Sequence, residues 1–172
     1  MDTVRKVYSY QENEIEKQMY IEAKMTMKTL LITKDSLLEE DPTVKIVNIF
    51  DKVENLDAKT ISLLILNSLQ VCEDKYKLIS ILDFSDAMEL LESIIKKSMP
   101  SMDNQEEEEA LFEDEDEEVK DWDFSFMDYM WNCVLKRSDS FYDVTPSYYF
   151  KTIEHHKAFN NIKDNTEKVE YI

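Results

Sequence analysis

From Glu14 to Leu38, apolar side chains recur at intervals of three and four: Ile15, Met19, Ala23, Met27, Leu30 and Leu31. That spacing draws one stripe along a helix and predicts a helix over this stretch. Ahead of it, residues 1–13 are short and polar. Val4, Val7, Tyr8 and Tyr10 are placed there for an extended, half-buried strand or arm. Behind it, Asp41-Pro42 reads as an N-cap followed by proline at the first helical position. Val44, Val47, Phe50 and Val53 then give a helix of about three turns.

Asp57 is a second cap, opening a strongly apolar helix through Ile61, Leu64, Ile65 and Leu69. A polar break at Glu73-Asp74 leads into Tyr76, Leu78, Ile79 and Leu82. Ser85 caps the next helix, which carries Met88, Leu91, Ile94 and Ile95 and ends on Lys96-Lys97, where positive charge suits the helix dipole. Residues 14–99 therefore read as an all-α bundle of short helices behind the 1–13 arm.

The pattern stops at Met99-Pro100 and charge takes over. Residues 103–123 hold 13 acids against the single Lys120, a net of −12 out of a total of −18. Such a run repels itself and reads as a linker over 100–121 that is disordered or weakly helical. Two apolar islands, Ala110-Leu111-Phe112 and Trp122-Asp123-Phe124, lie in it and at its edge, a pattern suited to gripping a basic protein. A second helical region follows over 122–162. Trp122, Phe126, Met127, Met130, Trp131 and Val134 form an aromatic stripe, and Thr145-Pro146 starts a helix through Phe150, Ile153 and Phe159. Such a stripe is ordinarily core, although its place beyond a charged segment makes a docking face the competing reading. Residues 163–172 are a polar tail.

Glycine is absent altogether. Phosphate-cradling loops, nucleophile elbows and dinucleotide-binding turns need it, and tight two-residue hairpins lean on it, so both are unexpected here. Cys72 and Cys133 sit in apolar patterns and read as buried free thiols of a reducing compartment. His155-His156 are adjacent, point about 100° apart on a helix and so chelate one metal poorly; a solvated helix face is the better reading. No catalytic residue, cofactor site or metal site is expected. The N-terminus lacks the apolar run of a signal peptide and no stretch reaches transmembrane length, so the protein is expected inside the cell. Its acidity disfavours direct contact with nucleic acid or an anionic membrane and points to protein partners.

The run from Tyr20 to Ser98 resembles the small helical stalk subunit of RNA polymerases, with its HRDC-like core. The residues that carry the likeness are Lys28-Thr29-Leu30-Leu31, Val47 to Val53 with Phe50, and Val53-Glu54-Asn55-Leu56-Asp57-Ala58-Lys59-Thr60, followed by Asp74 to Leu82 and Ser85 to Leu91. Asp83-Phe84 stands where the family often has a proline, and Asp103 to Ile172 has no counterpart in it. The resemblance implies a non-catalytic polymerase subunit, nuclear, pairing with the larger stalk subunit and the polymerase core to assist initiation. It also implies an interface formed by Val4, Val7, Tyr8, Met27 and Leu31. The aromatic stripe adds Trp122, Phe126 and Trp131 as candidate partner-binding residues. The alternatives are an acidic inhibitor that mimics DNA and an acidic adaptor or chaperone for a basic protein, cytoplasmic in either case.

Overall fold

A computed structural model describes residues 2–100 and 121–160 of the chain. It opens with a hairpin. Strand β1 (Val4–Glu12) pairs antiparallel with β2 (Ile15–Ala23), Val4 opposite Ala23 and Glu12 opposite Ile15. A short strand β3 (Leu69–Cys72) pairs antiparallel with the other side of β2, giving the sheet order β1-β2-β3. Around it stand α1 (Met27–Leu38), α2 (Ile46–Glu54), α3 (Ala58–Ser68), α4 (Lys75–Ile81), α5 (Phe84–Ser98), α6 (Phe124–Tyr129) and α7 (Pro146–Phe159). A π turn, Met130–Val134, continues α6, and a 3-10 turn, Phe141–Asp143, precedes α7. The fold is mixed α/β and not the all-α bundle that the periodicity predicts.

The difference begins in one segment. Ile15, Met19 and Ala23 fit a helical stripe, and Glu, Lys, Gln, Met and Ala are good helix formers. Yet Met19, Ile21, Ala23 and Met25 are all buried, a period of two, while Ile15 is exposed at the hairpin end. Local propensity lost to pairing, because β1 needs a neighbouring strand for its backbone polar groups. The turn is a two-residue loop after all. Asn13 and Glu14 both take left-handed conformations, φ 53° and 65°, which asparagine tolerates and glutamate adopts at a cost.

The absence of glycine recurs at helix ends. Leu56 (φ 59°) occupies the left-handed position after α2, where glycine is usual. Its N–H bonds Val53 O and the N–H of Asp57 bonds Lys52 O, both at 2.9 Å, so the Schellman pair is complete without glycine. Lys136 (φ 51°) plays the same part after the π turn.

Several caps differ from those the sequence predicts. Asp41 accepts from the N–H and Oγ1 of Thr43 and makes a turn, while α2 begins later, at Ile46. The carboxylate serving α2 comes from Asp121, whose Oδ1 accepts the Ile46 N–H at 2.7 Å. Asp83, not Ser85, caps α5 through the Asp86 N–H, and Asp74 caps α4. Asp57 and Thr145 cap α3 and α7 as predicted. Leu69 has left the helix and begins β3.

The main core lies between the inner face of the sheet and helices α1, α2, α3 and α5, with Ile21, Leu30, Ile49, Leu64 and Leu90 fully buried. A second cluster gathers Met27, Met127, Trp131, Phe141, Val144 and Tyr149. Trp122 and Phe124 pack against both clusters, so residues 121–160 rest on the same body as the bundle. The Met27 N–H bonds Val144 O at 2.9 Å, and Lys24 Nζ bonds Asp143 O at 2.9 Å. The expected acidic linker and polar tail lie outside the described residues, apart from Pro100 and Asp121.

Candidate protein-interaction surfaces

The eight residues expected to bind a partner do not form one surface. Val4 and Met27 are buried in the two clusters, and Trp131 is buried with them. Trp131 donates from Nε1 to Asp139 O at 2.8 Å and lies under the Arg137 guanidinium, 5.4 Å from its ring centroid. Its ring also meets those of Tyr148 and Tyr149. These are packing contacts, within the second cluster. Tyr8, Leu31 and Trp122 are half-buried. Only Val7 (56% exposed) and Phe126 (58%) present themselves to solvent, on separate elements.

Each exposed residue marks a surface. Val7 lies on the outer face of the sheet, directly opposite Tyr20 (45% exposed). Val71 (47% exposed), on the third strand, stands opposite Glu22 and so lies in the next row of the same face. An ion pair shares that row, Arg5 Nε to Glu22 Oε1 at 2.9 Å. The hydroxyl of Tyr20, and after it Arg5, holds the Glu22 carboxyl below its ordinary range. A helical period over Glu14 to Leu38 hides Tyr20, although the alternation Met19, Ile21, Ala23 carries the signal; Val71 lies on β3, outside that stretch.

The second surface is the outward side of α6 and its π turn. Phe126, Tyr129 and Val134 are exposed there, with the Cys133 thiol among them, while Met127 and Trp131 hold the inward side. The π turn widens the helix between the two sides. Cys133 is thus exposed, contrary to the expectation of a buried thiol, and Cys72 is half-buried beside Met19. Burial pushes the Cys72 thiol upward. Both cysteines are free.

The remaining chemistry is spent on structure. Glu12, at the hairpin end, accepts from Lys17 Nζ at 2.5 Å and Lys77 Nζ at 3.0 Å, and those two lysines pull its carboxyl down to about 2. Asp121 is pulled upward by burial. Lys34 at 2.5 Å and the N–H groups of Ile46 and Trp122 outweigh that and leave it low. An open, apolar cleft of about 220 Å³ between α3, α4 and α5 is floored by Ile61, Ile65 and Leu82. Its one carboxylate, Asp83, is engaged in capping α5. Among the described residues no group of His, Cys, Asp and Glu is arranged to hold a metal, and no helix is long and apolar enough to cross a membrane. Compared with known proteins, the chain matches no family model, no curated protein and no solved structure.

Proposed function

We propose that this protein is a non-catalytic subunit of a larger protein assembly, joined to it through apolar faces of its own fold. The observation that carries the reading is the outward side of α6 and its π turn, where Phe126, Tyr129 and Val134 stand exposed while Trp131 anchors the other side. Large apolar side chains aligned on one face favour a partner over solvent. Phe126→Ser with Tyr129→Ser tests it, because both residues are exposed and the fold does not depend on them. Affinity purification from the native source, with quantitative mass spectrometry, is expected to show stoichiometric partners with the parent chain and their loss with the double variant. A parent chain that purifies alone, as a monomer, overturns the reading.

In its finer form the assembly is an RNA polymerase, the partner is the larger stalk subunit, and the location is the nucleus. Its support is the succession of α2, α3, α4 and α5 over the segments that carry the resemblance. Against it, Lys28-Thr29-Leu30-Leu31 opens α1, whereas the corresponding patch closes a helix in that family. Polymerase subunits recovered in equal amounts with the parent chain would support this form. Stoichiometric partners of another kind would sink it and leave the coarser reading standing.

A further inference from the structure

Among the described residues strand β1 is an edge, paired with β2 on one side only. The two-residue loop makes Glu12 and Ile15 a hydrogen-bonded pair. By alternation Tyr10, Tyr8, Lys6 and Val4 turn their N–H and C=O groups toward β2. Arg5, Val7, Ser9 and Gln11 turn theirs outward, and no backbone group among the described residues pairs with them. Natural sheets blunt such edges with proline, a bulge, a covering element or charged side chains, and of these β1 carries only the last, in Arg5 and Lys6. Here the pairing of β1 with β2 runs without a bulge, β1 contains no proline, and all four outward residues are exposed.

What lies on either side of the edge defines the missing strand. On the outer face the exposed pair Val7 and Tyr20 would cover an apolar side chain of a neighbour. On the inner face α5 brings two carboxylates to β1. Glu89 accepts from Lys6 Nζ at 2.6 Å and keeps most of its side chain in solvent. Asp86 and Glu89 both act on Tyr8, whose hydroxyl oxygen is buried and has no hydrogen-bond partner among the described residues. A long basic side chain at an inner position could lay its stem over the Tyr8 ring and carry its charge to those acids.

We propose that a partner protein adds an extended, lysine- or arginine-bearing segment to β1 as a fourth strand. Its main chain pairs with Arg5, Val7, Ser9 and Gln11, and its basic side chains reach Asp86 and Glu89. The inference rests on the protein-binding reading and names the mode and chemistry of one contact. A second copy of the chain is a poor occupant, since each copy carries −18 and brings the same acids to the seam.

The probe is an acetylated peptide matched to the nine residues of β1, alternating lysine with valine and threonine. Two analogues accompany it: one with glutamate for lysine, and one N-methylated along the edge it would offer. Amide hydrogen exchange is followed on the full chain. The lysine peptide is expected to slow exchange at Val7 and Ser9 by about tenfold or more, and both analogues to lose the effect. Ser9→Pro, read at Val7 because proline has no amide hydrogen, should abolish protection, with the melt unchanged because the Ser9 N–H faces the open edge; Asp86→Asn with Glu89→Gln, both exposed, should weaken it at least severalfold. No protection by the lysine peptide, equal protection by either analogue, or edge amides already protected in a dimer at micromolar concentration each overturns the proposal. Should the stoichiometric partner stay bound to Ser9→Pro, the strand-addition mode falls while the protein-binding reading survives.

Discussion

Glu14 offers the cleanest test of how a chain without glycine pays for its turns. It is the second loop residue of the β1–β2 hairpin and sits at φ 65°, and its side chain makes no hydrogen bond or ion pair among the described residues. A left-handed conformation costs a residue with a Cβ roughly 1–2 kcal/mol. Glycine would remove that cost but would add about 0.5–1 kcal/mol of conformational entropy to the unfolded chain. Glu14→Gly is therefore expected to stabilise the protein by about 0.5–1 kcal/mol, since Asn-Gly is the preferred loop for this geometry. At 172 residues that raises the melting midpoint by about 1–4 °C. Thermal melts by circular dichroism and urea titration would read it, the urea midpoint rising with an unchanged slope. Glu14→Ala is the control: it removes the same charge and keeps the Cβ, so it should give no gain. A glycine variant that is neutral or less stable refutes the strain argument, and equal gains from alanine and glycine assign the effect to charge.

Asp121→Ala removes the acceptor at the start of α2 and the partner of Lys34 together, and should destabilise by about 1–2 kcal/mol. Asp121→Asn, which keeps an acceptor for Ile46, should lose less; equal losses would show that the cap contributes little. Glu12, with its folded pKa lowered to about 2 from 4.5, contributes stability that is present above about pH 4.5 and is lost as pH falls toward 2. Denaturant titrations over that range should show a shallower acid decline for Glu12→Gln than for the parent, and identical profiles would contradict it. A thiol reagent should modify Cys133 rapidly in the folded chain and Cys72 slowly, until denaturant exposes it; equal rates would refute that placement.

How much of this fold is legible in the sequence depends on whether a segment's fate is decided locally. Helix α3 was readable because Asp57 caps it from two residues away and its apolar positions leave no competing period. Helix α7 was readable from Thr145-Pro146 for the same reason. The second strand was not. Residues 15–23 satisfy a helical stripe through Ile15, Met19 and Ala23, and the choice rests on β1 and β3, one of them far along the chain. The cap of α2 was equally hidden, because Asp41-Pro42 is a plausible local answer and the real acceptor lies at Asp121. Of the expected binding residues, Val7 and Phe126 proved to be exposed, whereas Trp131 and Met27 became core; residue type alone does not separate these outcomes.

Acidity is divided unevenly over the molecule. Most of the net charge falls between residues 103 and 123, nearly all of it outside the described residues. Within the folded body the acids that can be traced have specific work: Asp57, Asp74 and Asp83 cap helices, Asp121 ties the C-terminal lobe to α1 and α2, and Glu12 closes the hairpin between two lysines. Asp86 and Glu89 differ from these. They stand on the solvent side of α5 beside a strand edge that has no neighbour among the described residues, and of these residues only Lys6 engages them, at Glu89. Charge repulsion from the rest of the chain resists self-pairing along that edge while leaving an oppositely charged strand free to approach. Acidity here acts as a filter on which strand can complete the sheet, and that is a stronger constraint on a partner than net charge alone.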